Sequence, residues 1–428
     1  MYQIESSGRI LQTGRKLLAQ GPSRLRVSPN VLFLGLTSLF TDISSEMVTS
    51  VLPLYMLLNL SLTPMAFGVV DGLYLGAAAV VRLVGGYLAD RTRRYKAVAI
   101  AGYGLSMVSR IGLLAFGSVW GWLLGIVLMD RIGKGLRSDS RDALISFSAH
   151  GSELGTAFGV HRTLDTAGAM IGPLFAFGIL MLAPNAFDAV FVVSLCAALI
   201  GLGILVLFVR NRPAPETEQP PRAGITISAV ARLLRRPNVL ALVVAGGVLN
   251  LATLSDAFFY LTLQRRLEFQ AGFFPLLYVA TAAIFMVLAL PMGLVADRIG
   301  RTRVFLGSYV LLLLAYATLL LPSQGIGLMA GSLLLLGSYY AGTDGVLMAL
   351  ASSRLPADLR TSGMALLMTV VNVARLVASI LFGWLWTWRG VEFAVGVFGG
   401  CLVAAIVLAH LLLDSDAQGT RAEGLVTL

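Results

Sequence analysis

Asp42 and Glu46 stand four residues apart in the stretch FTDISSEMVTS, Phe40 to Ser50, inside a long apolar run. If that run is a helix, the two carboxylates share one face. Like charges at this spacing oppose each other's ionisation, and apolar surroundings oppose it further. A carboxylate so placed can take up and release a proton, or meet a cationic ligand. A fixed salt bridge to Arg110, Arg131 or Arg375, or a gate at the exterior, would be the static use of the same pair.

Two further sets of residues carry chemistry. Asp130 and Lys134 are spaced i,i+4 with the acid first, the favourable order on a helix. Arg137 and Arg141 continue that stripe, with Asp139 and Asp142 beside it. Asp130 and Arg131 fall about 18 Å into their apolar segment at the helical rise, so they are expected at membrane depth. Arg141 and Asp142 are expected to protrude from it. His161, Arg162 and Asp165 form a compact group in which the aspartate can reach both neighbours. They suit a proton relay, because histidine titrates near neutral pH, or equally a static network joining two helices. The other candidates for a central cavity are Arg110, Asn250, Asp256, Asp344, Asn372 and Arg375, with Tyr260, Tyr339 and Tyr340.

The elements that would position these groups follow from composition. The 428 residues are 57% hydrophobic and 13% charged, and the mean hydropathy is +0.83. Soluble domains run near 25% charged, so an integral membrane protein is expected. The formal charge of +10 does not indicate nucleic acid, because the basic residues sit between apolar segments. Cys196 and Cys401 lie in apolar runs and are expected to be buried small hydrophobes, giving no disulfide framework and no metal site. No cofactor is implied.

About 20 apolar residues cross a bilayer as a helix. Spans are expected near 30–59, 65–89, 97–117, 119–146, 155–182 and 188–210, then near 239–264, 271–296, 304–322, 326–353, 361–386 and 391–414. The fourth, fifth and eleventh are the weakest because they hold charges. The expected organisation is a basic tail at 1–29, a six-helix bundle at 30–210, and a linker at 211–238. A second bundle at 239–414 and a tail at 415–428 follow. The linker runs from a Pro-rich stretch into ITISAVARLLRR, which can form an amphipathic helix on a membrane surface. Of the 32 Lys and Arg, only Arg265, Arg266 and Arg389 fall in loops on one side. Both termini are therefore expected in the cytoplasm.

GYLADRTRRYK at Gly86–Lys96 and GLVADRIGRTR at Gly293–Arg303 each end a span at corresponding places in the two halves. A six-plus-six duplication follows. These two segments resemble the loop motif of the major facilitator superfamily, with Arg93 where a glycine is usual. Arg131-Ile-Gly-Lys-Gly135 resembles its fourth-span motif, with Lys134 in a glutamine position. Gly159, Gly168, Gly172 and Pro173 resemble its antiporter-type glycine motif, with Ala176 replacing the last glycine. SSEM, DRIGKGLRSDSRDALI and GVHRTLDTAGAMIGP narrow the likeness to a bacterial branch of twelve-helix permeases described as efflux proteins.

The resemblance implies an all-α fold of two six-helix bundles related by a pseudo-two-fold axis. It also implies a latch on the inner side, built from Gly86, Asp90, Arg91 and Arg94 with Gly293, Asp297, Arg298 and Arg301. Arg131 would couple proton to substrate movement, and the glycine face would seal the two halves. A monomer is the expected assembly. The expected function is secondary active transport by alternating access, with protons driving export of a small organic molecule, drug-like or a metabolite, cationic or amphipathic in kind. The alternatives are a proton-coupled importer and, because Met47 neighbours the acids, a metal-cation exporter. An enzyme is disfavoured, since of His150, His161 and His410 only one sits at depth beside acids. No phosphate-binding loop of the Gly-x4-Gly-Lys-Ser/Thr type occurs.

Overall fold

A hydrocarbon layer offers no partner to a backbone N–H or C=O, so each apolar run closes its own hydrogen bonds as a helix. The computed structural model describes residues 28–92, 94–149, 154–211, 234, 236–322, 325–355 and 360–426, with the side chains of 78–80, 82–92, 360–362 and 414–426 excepted. The basic tail up to residue 27, most of the linker with its expected amphipathic helix, His150, and the side chains of Asp90 and Arg91 lie outside the described residues.

The first half is α1 (Pro29–Leu54, continued by a π turn at Tyr55–Asn59), α2 (Pro64–Thr92), α3 (Tyr95–Phe116), α4 (Trp120–Ser148), α5 (Leu154–Leu182) and α6 (Phe187–Leu207). The second is α7 (Pro237–Leu251), α8 (Asp256–Leu267), α9 (Phe274–Ile299), α10 (Arg301–Leu320), α11 (Ile326–Arg354), α12 (Arg360–Arg389) and α13 (Val391–Val426). Counting α7 and α8 as one broken span gives twelve, and no strand forms among the described residues. Prolines at the first turns of α1, α7 and α9 remove N–H groups that a helix start leaves unpaired anyway.

Three expectations need correction. The seventh span is not continuous: it breaks at Ala252–Ser255, where Ser255 caps α8 by accepting from the Phe258 N–H. The phenolic oxygen of Tyr316 accepts from the Leu254 N–H at 2.7 Å and donates to the Ala252 carbonyl at 3.3 Å, so the freed backbone groups find partners. The fifth and eleventh spans are apolar enough to cross a membrane, whereas α4 falls short because of its charges. Helix α13 runs to Val426, where a tail was expected.

In the first half, α1 packs on α5 and α6, and α4 on α2 and α3; in the second, α7 packs on α12 and α13, and α11 on α9 and α10. The halves meet along α2–α12 and α5–α9. We call the face holding the start of α1 the lower face and the opposite one the upper face. Among the described residues, the close approaches between the halves lie from mid-membrane upward. A Cβ at Gly68 or Gly72 would stand 2.6 Å from the Ser379 carbonyl or 2.8 Å from that of Leu376, so these glycines let α2 and α12 touch backbone to backbone. Nearby, the Met65 N–H donates to Thr387 Oγ1 at 2.9 Å. Phe258 packs edge-on against Phe67 and Phe382 and tilts onto Trp386, closing the upper side with aromatic rings. Toward the lower face, Gly155 and Gly159 on α5 and Gly293 on α9 have open space where a Cβ would be.

At the lower hairpin, Gly300 joins α9 to α10 at φ +106°, a backbone shape that residues with a Cβ rarely take. That explains the glycine of the second loop motif.

Candidate functional site

The charges of α4 form a ladder down the inside of the first half. At its top, Asp130 is held between Arg110, at 3.0 Å, and Arg131, both buried. Arg110 also donates to Ser44 and Ser45 of α1 at 3.3 and 3.2 Å. Arg131 lies over the Tyr74 ring at 3.8 Å, and Tyr74 bonds Thr49 at 2.6 Å. These groups line a small cavity of about 320 Å³. About two turns below, Arg137 stands 3.7 Å from Asp42 and over the Tyr103 ring at 4.9 Å. Lower still, Arg141 meets Asp142 at 3.0 Å, Asp165 at 3.5 Å and the Ser38 hydroxyl at 3.1 Å. Ser38 in turn lies 2.9 Å from His161 Nε2. Spans one, four and five are thus joined by alternating charge, and charge at this depth needs such partners.

Several placements differ from the expected ones. Asp42 pairs with Arg137, not with Arg110, Arg131 or Arg375, because Arg137 lies at its level on α4. Glu46, one turn above, is half-buried beside the α5 glycines. Arg141 does not protrude: its side chain is 14% exposed, tucked among α1, α4 and α5. Asp165 accepts from Arg162 at 3.4 Å and reaches Arg141, while His161 turns to Ser38. Arg162 is 78% exposed on the outside of α5, so the compact triad is split between two faces of the helix. Gly168 and Gly172 do not seal the halves in this conformation. They press on α1, where a Cβ would stand 2.5 Å from the Leu39 carbonyl and 2.7 Å from that of Ile43. Pro173 is buried and Gly159 faces open space. Cys196 and Cys401 are exposed on the outside of the bundle rather than buried.

The second half carries fewer charges. Arg375 Nε donates to Asn250 Oδ1 at 2.9 Å, and Asn250 donates to the Gly246 carbonyl and toward Tyr309. Asp256, the first residue of α8, accepts from the Tyr340 hydroxyl. Asp344 is exposed on α11, and Arg375 and Asn372 are half-buried on α12. Tyr260 and Tyr339 are packed within the core, the former donating to Thr281 Oγ1 at 2.8 Å. Lys134 is half-buried on the α4 stripe. At the lower hairpin, Asp297 pairs with Arg301 at 3.0 Å, and Arg301 also donates to the Ala349 carbonyl. Arg298 and Arg94 are exposed. Sequence reasoning missed Ser38, Tyr74 and Tyr103 as partners of the ladder. Their only signal was spacing on the faces of α1, α2 and α3 that turn toward α4.

Comparison with known proteins comes out consistently. The sequence matches the Major Facilitator Superfamily over residues 34–290 and 270–425. A protein described as an uncharacterized MFS-type transporter of Methanocaldococcus jannaschii is 29% identical over 372 residues, 84% of this chain and 89% of that protein. An uncharacterized protein of Mycobacterium tuberculosis is 37% identical over 188 residues, 44% of this chain and 45% of its own. Among solved structures, a mutant of the nucleoside transporter NupG superposes with a TM-score of 0.77 at 15% identity, covering 90% of this chain and 99% of that one. A bacterial homologue of the human lysosomal transporter Spinster, inward-facing and unoccupied, gives 0.72 at 14% identity, with 92% and 98% covered. At such identities the likeness concerns the fold.

Proposed function

Because the chain belongs to the major facilitator superfamily of secondary transporters, we propose that it exports small organic molecules in exchange for protons by alternating access. The lower face is then the cytoplasmic side of a bacterial inner membrane, with both termini there, since nearly all loop Lys and Arg gather on that side. Residues 30–210 and 239–414 are the two rocking bundles, with 211–238 linking them.

The observation that carries this reading is the ladder on α4. Asp42–Arg137 and Asp165–Arg141 tie spans one, four and five together by ion pairs, while aromatic rings close the upper side between the halves. Carboxylates held by cations at a water-accessible gap can exchange a proton for a positively charged cargo. In this scheme Asp42 and Glu46 receive the proton or the cargo. Arg131 and Asp130 transmit the change to Tyr74 of α2, and His161 with Asp165 passes protons toward the lower side. Arg375, Asp344, Asn372, Tyr340 and Lys134 complete the cavity wall. The latch residues around Asp90 and Asp297 engage when the lower face closes. Contact between the halves from mid-membrane upward fits the stage at which cargo enters from the cytoplasm.

Everted membrane vesicles test the reading. With a respiration-driven proton gradient reported by a quenched dye, adding tetraphenylphosphonium or another amphipathic cation should release protons from vesicles that contain the protein. Vesicles with Asp42→Asn protein should not respond. If no member of a broad panel of organic cations, metabolites and metal ions causes release beyond that of empty vesicles, proton-coupled export is wrong.

A further inference from the structure

Asp71 on α2 is a buried carboxylate that the α4 ladder does not touch. Its Oδ2 accepts a hydrogen bond from Ser379 on α12 at 2.6 Å, so this acid of the first half is held by a hydroxyl of the second. Asp256, where the seventh span resumes, lines the same cavity of about 520 Å³, together with Ser255 and Tyr278. That cavity sits directly beneath the rings of Phe67 and Phe258, which close the upper face. The two aspartates, one from each half, therefore line one cavity at the junction of the halves, beneath the ring contact that closes the upper side.

The groups facing this pair come from every helix around it. Helix α1 offers Thr49, α2 Tyr74, α9 Tyr278, α12 Ser379 and α11 Tyr340, with the carboxylate of Asp344 on α11 also acting on Asp256, and α8 offers Ser255 and its N-terminal N–H groups. Among the described residues, neither aspartate has a Lys or Arg within ion-pair distance. The field of Arg375 reaches Asp256, but its Nε is bonded to Asn250 at 2.9 Å. On the other side, Arg131 is engaged by Asp130 and by the Tyr74 ring. The end of α8 supplies roughly half a positive charge. Two ionised carboxylates would exceed that by far, in a site walled by aromatic and aliphatic side chains.

We infer that Asp71 and Asp256 together bind one proton, and that this proton holds the upper seal shut. With both acids ionised, their repulsion acts across the α2–α12 and α2–α8 contacts and drives the halves apart at the top. Water from the upper side then reaches the pair and delivers a proton. One charge is removed, the Ser379 bond and the ring contacts re-form, and the lower face opens. Release of the proton into the open lower cavity restores the repulsion and favours the return. The site rests on the proton-coupled reading above, and adds to the Asp42 region a second protonation point that controls the gate.

Distance measurement between spin labels on opposite upper loops tests this. Labels go on the exposed positions Ser118→Cys and Leu321→Cys, in a background of Cys196→Ser and Cys401→Ser, with the protein in lipid nanodiscs. Between about pH 4 and about pH 9, a range that covers free carboxylates and strongly perturbed ones, the background protein should move from short to long distances. Asp71→Asn and Asp256→Asn should each keep the short distance throughout, and Asp71→Glu should restore the movement. Should a neutral variant fail to yield folded protein, Ser379→Ala serves instead: it keeps both acids, removes the bond across the halves, and should move the pH of half-opening. Unchanged opening in Asp71→Asn, or in Ser379→Ala, overturns the inference, as does a background protein with no pH-dependent opening. Everted vesicles separate the two readings. Proton-driven transport alongside unaltered opening in Asp71→Asn defeats the gate alone. Opening lost in Asp71→Asn without any proton-driven transport defeats the coupling alone.

Discussion

Arg110 on α3 and Asp130 on α4 face each other at 3.0 Å, with side chains 5% and 6% exposed, and Arg131 binds the same carboxylate from its other oxygen. Two guanidinium groups thus depend on one buried acid. Removing one partner of a buried ionic set leaves the rest uncompensated, at a cost of about 3–5 kcal/mol. Asp130→Ala should therefore lower the melting temperature of the purified protein sharply. Ser109→Ala removes a 2.6 Å bond to the Ser106 carbonyl, a 3.4 Å bond to Asp130 and a 3.4 Å acceptor for Arg110, but leaves the ionic set intact, and should cost less, about 1–3 kcal/mol. Thermal unfolding followed by size-exclusion chromatography reads both.

The glycines of α5 should respond unequally. A Cβ at Gly172 would stand 2.7 Å from the Ile43 carbonyl oxygen, a backbone atom that cannot swing aside. Gly172→Ala should destabilise by about 1–3 kcal/mol, the usual range for overpacking. Gly159 has nothing within 4 Å of the same point. There, Gly→Ala should be neutral or stabilise by up to about 1 kcal/mol through helix propensity. The same melting experiment distinguishes them, and equal losses at both positions would contradict the packing described for α1 and α5.

The break in the seventh span depends on one tyrosine. Tyr316→Phe keeps the ring but leaves the Leu254 N–H, buried next to it, without its 2.7 Å acceptor. The expected cost is about 1–3 kcal/mol for a buried unsatisfied group. Hydrogen exchange should show faster exchange at Leu254 in the variant, with α10 itself protected as before.

Much of this architecture was readable in the sequence. Apolar runs long enough to cross a bilayer located the spans to within a few residues, because a helix in lipid has no alternative conformation. The duplicated loop motif gave the two halves, and charges at depth pointed to α4. The break at Ala252–Ser255 was missed although Ser255 before Asp256 is a helix-start signal; no Gly or Pro stands at the break itself, and the partner, Tyr316, is 62 residues away. Contacts of that kind decide the rest. The sequence around Asp71 offers it no partner, because Ser379 lies 308 residues on. Arg141 was expected in water because hydropathy cannot register Ser38 and Asp165 closing over it.

The central claim is that proton movement drives cargo through Asp42, the acid beside Arg137. Reconstituted vesicles preloaded with a cargo found in the everted-vesicle screen measure this most directly, by comparing net transport under a proton gradient with cargo-for-cargo exchange without one. Native protein should do both. Asp42→Asn should retain exchange and lose net, gradient-driven transport. If Asp42→Asn protein still accumulates cargo against its gradient as fast as native protein does, the assignment of coupling to Asp42 is wrong.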